Sequence, residues 1–325
     1  MYQNFSYFCT IRILFCMNFR TEISVPPSDF KISHACKIAM HGSCFAENMA
    51  SKFLNAGFSI DLNPFGIAYN PLSLSQNLNR LLDNEPYVAD ELFKDNEMYH
   101  SFSHHSRFSG TDPNEVLSKI NSRMEQSSAF LRTANLLVIT FGTAFVYRLQ
   151  STGSVVSNCH KLPAKLFTYK RLTIEAIVQE WSGLIVRLQT LYPSLRTLFT
   201  VSPIRHWKDG AHENQLSKSI LLLAVEELLR KYPQCFYFPA YEIMMDDLRD
   251  YRFYADDMLH PSSQAIDYVW EKFTEAWFDN GTLKKAHEFE KIHQALNHIP
   301  LHPESEAYRQ FREKAEARLK ELRMI

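Results

Sequence analysis

Short apolar runs and longer amphipathic stretches alternate along most of this chain. Five apolar runs predict buried strands, at residues 37–41, 58–62, 135–140, 195–201 and 235–238. The run at 135–140 is the clearest, because an apolar run without polar alternation is typical of a parallel strand that is covered on both faces. Together these runs predict the sheet at the centre of the fold.

Between the runs, apolar residues recur at helical spacing. The predicted helices lie at residues 44–55, 72–82, 113–131, 173–188, 214–231 and 262–278. Asp112 followed by Pro113 is a typical helix start, since the aspartate caps the helix and proline suits its first turn. The last segment is charged and helical, and Pro300 and Pro303 divide it in two.

Strands that alternate with helices are typical of an α/β domain with a parallel sheet. We therefore predict one α/β domain over residues 19–282, with an N-terminal extension at 1–18 outside the core and a C-terminal helical extension at 283–325. Residues 145–149 predict an extended hairpin arm. Residues 85–110 show no regular pattern.

Composition and charge exclude several classes of partner. The chain is 46% hydrophobic and 13% aromatic, which is ample for a sizeable core. Its 35 basic and 36 acidic residues give a formal charge of -1 and are spread along the sequence, so neither nucleic acid nor an anionic membrane is a predicted partner. The apolar N-terminal stretch is interrupted by Arg12 and lacks a basic start and a cleavage site, so it predicts neither a signal peptide nor a membrane span.

The cysteine and histidine patterns argue against disulfides and metal. Six cysteines form no CxxC pair, which indicates reduced thiols in a reducing compartment and hence a cytoplasmic protein. His100, His104 and His105 lie close together, but no carboxylate or cysteine stands at ligand spacing. We therefore predict no metal and no other cofactor, and expect the loop with His104 and His105 to face a substrate.

The first predicted strand leads into Gly42-Ser43-Cys44, directly before a helix. In one interpretation Ser43 is a helix cap and Cys44 a small core residue. In the other, one of them is a nucleophile, since N–H groups at a helix N-terminus stabilise a thiolate or an oxyanion. A free thiol has a pKa of about 8.5, so we expect Cys44 to ionise near neutral pH and to be the nucleophile, with Ser43 as the alternative.

Asp257 and His260 supply a base for such a nucleophile. An aspartate three residues before a histidine can accept the Nδ1 proton, fix the tautomer, and leave Nε2 free to take a proton. The D-x-x-H string is weak alone, but here it follows the last predicted strand, and sites in open α/β sheets form beyond the carboxyl ends of the strands. Three further polar motifs also follow strands, at residues 63–70, 142–143 and 205–206.

At this point the chain resembles a known family, the GSCFA domain family. The resemblance covers most of residues 19–278 and rests on Gly42-Ser43-Cys44-Phe45-Ala46, Asn63-Pro64-Phe65-Gly66, Tyr69-Asn70-Pro71, Gly142-Thr143-Ala144, Ser202-Pro203-Ile204-Arg205-His206 and the run 257–261. This family is similar to the SGNH or GDSL-like hydrolases. The resemblance implies a flavodoxin-like, three-layer α/β/α sandwich with a five-stranded parallel sheet, and cleavage of O-acyl esters, often on carbohydrates.

The chain departs from the SGNH pattern at two places. The first SGNH block reads G-D-S with serine as nucleophile, and an ungapped overlay places Ser43 on the aspartate and Cys44 on the serine. The third block has an asparagine after the glycine as an oxyanion donor, whereas Thr143 follows Gly142 here. In its place we expect the N–H groups of Cys44 and Gly66, with Asn70 or Thr143 as side-chain donors.

Two functions follow from these residues. The first is an acyl-ester hydrolase or acyltransferase acting on a small-molecule or carbohydrate ester, with Arg205, His206 and the His104-His105 loop recognising substrate. The second is a non-catalytic carbohydrate- or partner-binding module on a hydrolase-like fold. The intact Asp257 and His260 favour the enzyme, and the missing asparagine favours the binder. Since recognisable family sequence begins near Phe19, we also expect a chain that starts at Met17 to fold.

Overall fold

The computed structural model describes residues 20–298 and 300–324, so the predicted N-terminal extension and a start at Met17 lie outside the described residues. In chain order the elements are β1 (Lys37–Gly42), α1 (Cys44–Asn55), β2 (Ser59–Leu62), α2 (Pro71–Asp83), β3 (Leu92–Asp95), β4 (Met98–Ser101), α3 (Pro113–Leu131), β5 (Leu136–Phe141), β6 (Phe145–Leu149), β7 (Val155–Val156), β8 (Phe167–Arg171), α4 (Ile174–Leu191), β9 (Arg196–Val201), α5 (Gly210–Lys231), β10 (Cys235–Phe238), α6 (Ala240–Glu242), α7 (Ser263–Trp277), α8 (Asn280–Asn297) and α9 (Glu306–Met324).

The central sheet has five parallel strands in the order β10-β9-β5-β1-β2. Numbered along the chain, these five strands run 2-1-3-4-5 across the sheet, which is the flavodoxin-like order. Each of them was predicted from its apolar run, with bounds within one residue of those observed. The predicted α/β class and flavodoxin-like sandwich are therefore confirmed.

Helices cover both faces of the sheet and give the fold its three layers. Helices α2 to α5 bury residues such as Leu78, Ile120 and Trp181 against one face. On the other face, α1 and α7 bury Phe53 and Phe273. Fully burying an apolar side chain of this kind stabilises the fold by about 1.5–3 kcal/mol, so these two cores fix the sheet and everything that its edge carries.

Local sequence signals set several helix starts. The side chains of Asn70, Asp112, Thr173 and Ser262 accept backbone hydrogen bonds at the N-termini of α2, α3, α4 and α7. Helix α5 begins at Gly210, four residues before the predicted start, because its first turn is polar and shows no apolar periodicity. The start predicted from a cap, at Asp112 and Pro113, agrees with the start of α3.

Two small antiparallel sheets extend the domain. Strands β3 and β4 pair as a hairpin inside residues 85–110, where the sequence predicted no regular structure; each strand has only four residues, too few for a clear pattern. Strands β7, β6 and β8 form a three-stranded sheet between β5 and α4, which we call the insert sheet. The predicted hairpin arm at 145–149 is its central strand.

The C-terminal helices α8 and α9 pack against each other, and Arg318 pairs with Glu288 at 2.8 Å. Ala286 and Phe289 of α8 are buried, so α8 also contacts the α/β domain. The proposed division between residues 282 and 283 falls within α8. Among the helices of the described ranges, none combines the length and apolar character that crossing a membrane requires.

Candidate active site

The candidate site lies at the carboxyl ends of β1 and β5, where the strand order reverses. β1 ends at Gly42, whose φ is 154° and where a Cβ would lie 2.6 Å from the Cβ of Thr140. Only glycine fits so close an approach. The Gly42 N–H donates to Asn63 Oδ1 at 2.9 Å, which holds the turn into α1.

Ser43 and Cys44 follow this turn and have different surroundings. Ser43 occupies the N-cap position, but its buried Oγ has no hydrogen-bond partner among the described residues, so the expected side-chain cap is not formed. Cys44 is the first residue of α1 and is partly exposed. Its Sγ lies 3.5 Å from His260 Nε2. The structure thus brings Cys44 to the histidine.

Asp257 holds His260 from the loop before α7. Its Oδ2 lies 2.5 Å from His260 Nδ1, and its Oδ1 accepts from the backbone N–H groups of Leu259 and His260, each at 2.9 Å. These bonds, with the His260 N–H first, lower the pKa of Asp257 to about 2. The carboxylate is therefore ionised at neutral pH, and it directs Nε2 of His260 toward Cys44.

The protonation state of Cys44 differs from the expectation. Burial raises the pKa of its thiol, and the N–H groups of Cys44 and Phe45 at the start of α1 offset that rise only in part. The expected thiolate near neutral pH is thus wrong, since burial outweighs the helix N-terminus. The thiol instead needs a base at the moment of attack, and His260 Nε2 is within reach to serve as one.

The Gly66 N–H, one of the predicted oxyanion donors, already makes an internal hydrogen bond. The Gly66 N–H donates to Asn63 O at 2.8 Å, so the expected use of that N–H as a donor is wrong. Gly66 has a φ of 86°, and a Cβ there would lie 2.2 Å from the Cβ of His105. Gly66 therefore lets two loops approach each other and does not present its N–H to a ligand.

The backbone N–H groups of Gly142 and Thr143 also make internal hydrogen bonds. Both N–H groups donate to the carbonyl oxygen of Tyr69, at 2.7 and 3.0 Å. Thr143 Oγ1 lies 3.1 Å from Ser217 Oγ and accepts from the Phe145 N–H at 3.1 Å. Thr143 lines the cavity, but its hydroxyl oxygen already contacts Ser217 of α5 and the Phe145 N–H, so its role as an oxyanion donor stays a prediction.

Asn70 and Cys44 each have an N–H group that remains available to a ligand. Asn70 caps α2 through Oδ1, which accepts from the Ser73 N–H at 2.9 Å, and its Nδ2 donates to Ser73 Oγ at 3.0 Å. Within the described chain, the second Nδ2 hydrogen has no partner, and Asn70 lines the cavity. The Cys44 N–H belongs to the unpaired first turn of α1. These two groups remain as candidate oxyanion donors.

Arg205 and His206 both line the cavity, beyond the end of β9. The Arg205 guanidinium donates to Asn214 Oδ1 and lies 5.8 Å from the Trp207 ring centroid. His206 packs edge-on against Tyr69 at 5.1 Å. Burial first, and then the charge of Lys218, lower the pKa of His206 to about 4, so it is neutral at neutral pH.

His104 and His105 are adjacent in the sequence, but their side chains lie in different surroundings. His105 lines the cavity, as expected. His104 is 1% exposed and packs among the rings of Phe65, Tyr87 and Phe108, with Nδ1 2.9 Å from Ser101 Oγ. Its expected role in facing substrate is wrong, since neighbouring side chains on this turn point in opposite directions.

The cavity beside Cys44 and His260 has a volume of about 770 Å³. The insert sheet forms one wall, with Phe145, Tyr147, Val156, Phe167 and Tyr169. That wall is tied to the loop after β9, since Tyr169 OH donates to Asp209 at 2.8 Å and Lys208 Nζ donates to Tyr147 OH. In the described ranges, no group of three or more His, Cys, Asp or Glu side chains is arranged to hold a metal ion.

Sequence reasoning missed Lys218, which lies beneath the site on α5. It is 0% exposed, and Nζ donates to Gly142 O and Ser202 O at 2.7 and 2.6 Å. A signal was present: Lys218 stands three and seven residues before Leu221 and Val225, on the apolar face of α5. A lysine at a core position of an amphipathic pattern indicates a buried charge.

Comparison with known families gives two matches. A model described as the GSCFA family matches residues 37–273. A second model, the C-terminal domain of GSCFA domain proteins, matches residues 289–324. Among curated proteins, no sequence matches this chain.

Several solved structures are similar to this chain at low sequence identity. A family 3 carbohydrate esterase of Clostridium thermocellum is 11% identical over 78% of this chain and 97% of its own, with a TM-score of 0.36. A carbohydrate esterase family 3 structure from Talaromyces cellulolyticus is 8% identical over 78% and 99%, with a TM-score of 0.34. A carbohydrate esterase family 2 enzyme from Corynascus thermopiles is 11% identical over 78% and 67%, with a TM-score of 0.37.

Proposed function

This chain belongs to the GSCFA family, and we propose that it is an ester hydrolase or acyltransferase that acts on O-acyl esters of small molecules or carbohydrates. One observation carries the proposal. Cys44 Sγ, His260 and Asp257 form a continuous hydrogen-bonded series, with separations of 3.5 and 2.5 Å, and Cys44 and His260 line a cavity of about 770 Å³. A nucleophile, a base and a group that orients the base are the parts that acyl transfer needs.

The reaction proceeds in two halves. His260 Nε2 takes the proton of Cys44 while Sγ bonds to the ester carbonyl carbon, and the oxyanion accepts hydrogen bonds from the Cys44 N–H and Asn70 Nδ2. The imidazolium then gives its proton to the leaving alcohol, which leaves a thioester on Cys44. Water or a second alcohol, deprotonated by His260, attacks the thioester carbonyl; the C–S bond breaks, His260 returns the proton to Cys44 Sγ, and the acid or a new ester is released.

The cavity supports a substrate larger than a simple acetyl ester. Its 770 Å³ falls within the range of about 300–1,000 Å³ that ligand sites usually occupy. Arg205, His206 and His105 line it and supply hydrogen-bonding groups, while the insert sheet supplies aromatic rings. A nucleophilic thiol is best preserved in a reducing compartment, so the proposal places the reaction in the cytoplasm.

The test is hydrolysis of 4-nitrophenyl acetate and of an O-acetylated disaccharide by the full chain, with His260→Ala as its matched variant. We expect turnover by the wild type and none above background by the variant, with both proteins showing the same thermal unfolding. No turnover of either ester, together with saturable binding of the disaccharide, would instead support the binding module. The occupied N–H groups of Gly142 and Thr143 are the observation that favours this second candidate.

A further inference from the structure

Lys218 has a buried amino group that no carboxylate among the described residues pairs with. Its side chain is fully buried, and its two hydrogen bonds go to the carbonyl oxygens of Gly142 and Ser202, which follow β5 and β9. No ion pair joins it to a carboxylate in the part of the chain that the structure describes. Burying an uncompensated charge is costly, so its presence at the edge of a candidate active site requires an explanation.

A role limited to joining two loops does not require a group that can carry a charge. Backbone carbonyls can be held by a neutral donor at a lower desolvation cost. Burial, followed by the nearby Arg205, lowers the pKa of Lys218 to about 7, while an ionised Cys44 acts in the opposite direction. The charge of Lys218 in turn favours the ionised form of Cys44. Each of these two buried groups is thus more readily charged when the other is charged.

We propose that Lys218 is a positioning residue that supplies the buried positive charge against which the Cys44 thiolate and the following oxyanion form. The inference rests on Cys44 as the nucleophile of the proposed function. Lys218 acts through space and through the Gly142 and Ser202 peptide groups that it holds. It does not line the cavity, so it affects the nucleophile without touching substrate.

The groups around Lys218 determine whether its charge raises or lowers the pKa of the Cys44 thiol. Arg205, Cys44 and His206 interact with its charge, and the Tyr241 ring centroid lies 5.7 Å from Nζ. Cys44 is the group among these that becomes an anion during the proposed reaction. Removing the charge of Lys218 should therefore raise the pKa of the Cys44 thiol further, while restoring a charge should reverse that rise.

The experiment measures alkylation of Cys44 by iodoacetamide from pH 6 to 10 in the full chain, read on the Cys44 peptide by mass spectrometry. Lys218→Met is compared with Lys218→Arg and with Lys272→Met, a control that removes a largely buried, paired lysine on α7. We expect Lys218→Met to alkylate several-fold more slowly at pH 8, because loss of the positive charge raises the pKa of the thiol. Lys218→Arg should recover the rate, and Lys272→Met should match the wild type.

A folded Lys218→Met protein whose Cys44 profile coincides with that of the wild type would overturn the inference. If Lys218→Met does not fold, Lys218→Gln is measured in its place; failure of both to fold would assign the lysine to structure alone and also overturn it. Alkylation needs no ester substrate. A protein without esterase activity can therefore still show the Lys218 effect, which keeps the two proposals separate.

Discussion

Asp257 contacts His260 at two points of the same residue: Oδ2 lies 2.5 Å from Nδ1 of the ring, and Oδ1 accepts from the backbone N–H at 2.9 Å. The side chain and the backbone of the histidine are thereby held together by one carboxylate. The Leu259 N–H also donates to Oδ1, so the loop is shaped around this aspartate. Asp257 therefore both orients the imidazole of His260 and fixes the backbone of the loop that carries it.

We predict that His260→Ala and Asp257→Asn reduce activity unequally. His260 carries the proton, so its loss should lower kcat/KM by about 10²–10⁴-fold. Asp257→Asn keeps an acceptor for the backbone N–H groups and should cost less. Steady-state hydrolysis of 4-nitrophenyl acetate measures both, and unchanged turnover by His260→Ala would rule out His260 as the base.

We predict that Cys44→Ser loses activity while Ser43→Ala retains most of it, because His260 Nε2 contacts Cys44. In the native protein, iodoacetamide labelling of Cys44 should rise toward alkaline pH, since burial raises the pKa of the thiol. Cys159 lines the same cavity and is the internal comparison; burial raises its pKa to about 11, so it should label more slowly. Activity lost only in Ser43→Ala would transfer the nucleophile to Ser43.

We predict that Asn70→Ser lowers kcat with little change in stability. Serine keeps an oxygen to cap α2 but does not extend an amide toward the cavity. Loss of one oxyanion donor typically costs about 10²–10³-fold in rate. Asp112→Ser, at the cap of α3, is the matched control, and it should leave kcat unchanged with a similar thermal midpoint. Equal rates for Asn70→Ser and the wild type would exclude Asn70 as a donor.

We predict that acid destabilises the fold through His104. Burial lowers its pKa to about 3, whereas the unfolded chain protonates near pH 6.5, so the unfolded state binds more protons between these values and stability falls as pH falls through 6.5. At pH 5 the contribution is about 2 kcal/mol. Urea unfolding at pH 7 and pH 5 should show a smaller acid loss for His104→Phe; an equal loss would contradict the assignment.

The sheet could be predicted from sequence because its three central strands, β1, β5 and β9, are buried on both faces, so runs such as 135–140 carry the signal without any partner. The Asp257–His260 pair could be predicted because its geometry is local. The surroundings of the Thr143 hydroxyl could not, since Ser217, 74 residues later in the chain, lies 3.1 Å from it. The orientation of His104 could not either, because it packs against the rings of Phe65 and Tyr87, which come from other parts of the chain.

The insert sheet is a different part of the chain from the segments that carry Cys44, Asp257 and His260. Cys44, Asp257 and His260 belong to loops at the edge of the central sheet, whereas the aromatic wall at 145–171 is a single excursion of the chain between β5 and α4. Sequence drift or exchange of that excursion can reshape the cavity while the reacting groups stay in place. The insert is therefore the segment to transplant when testing which part of the chain sets the selectivity of the proposed reaction.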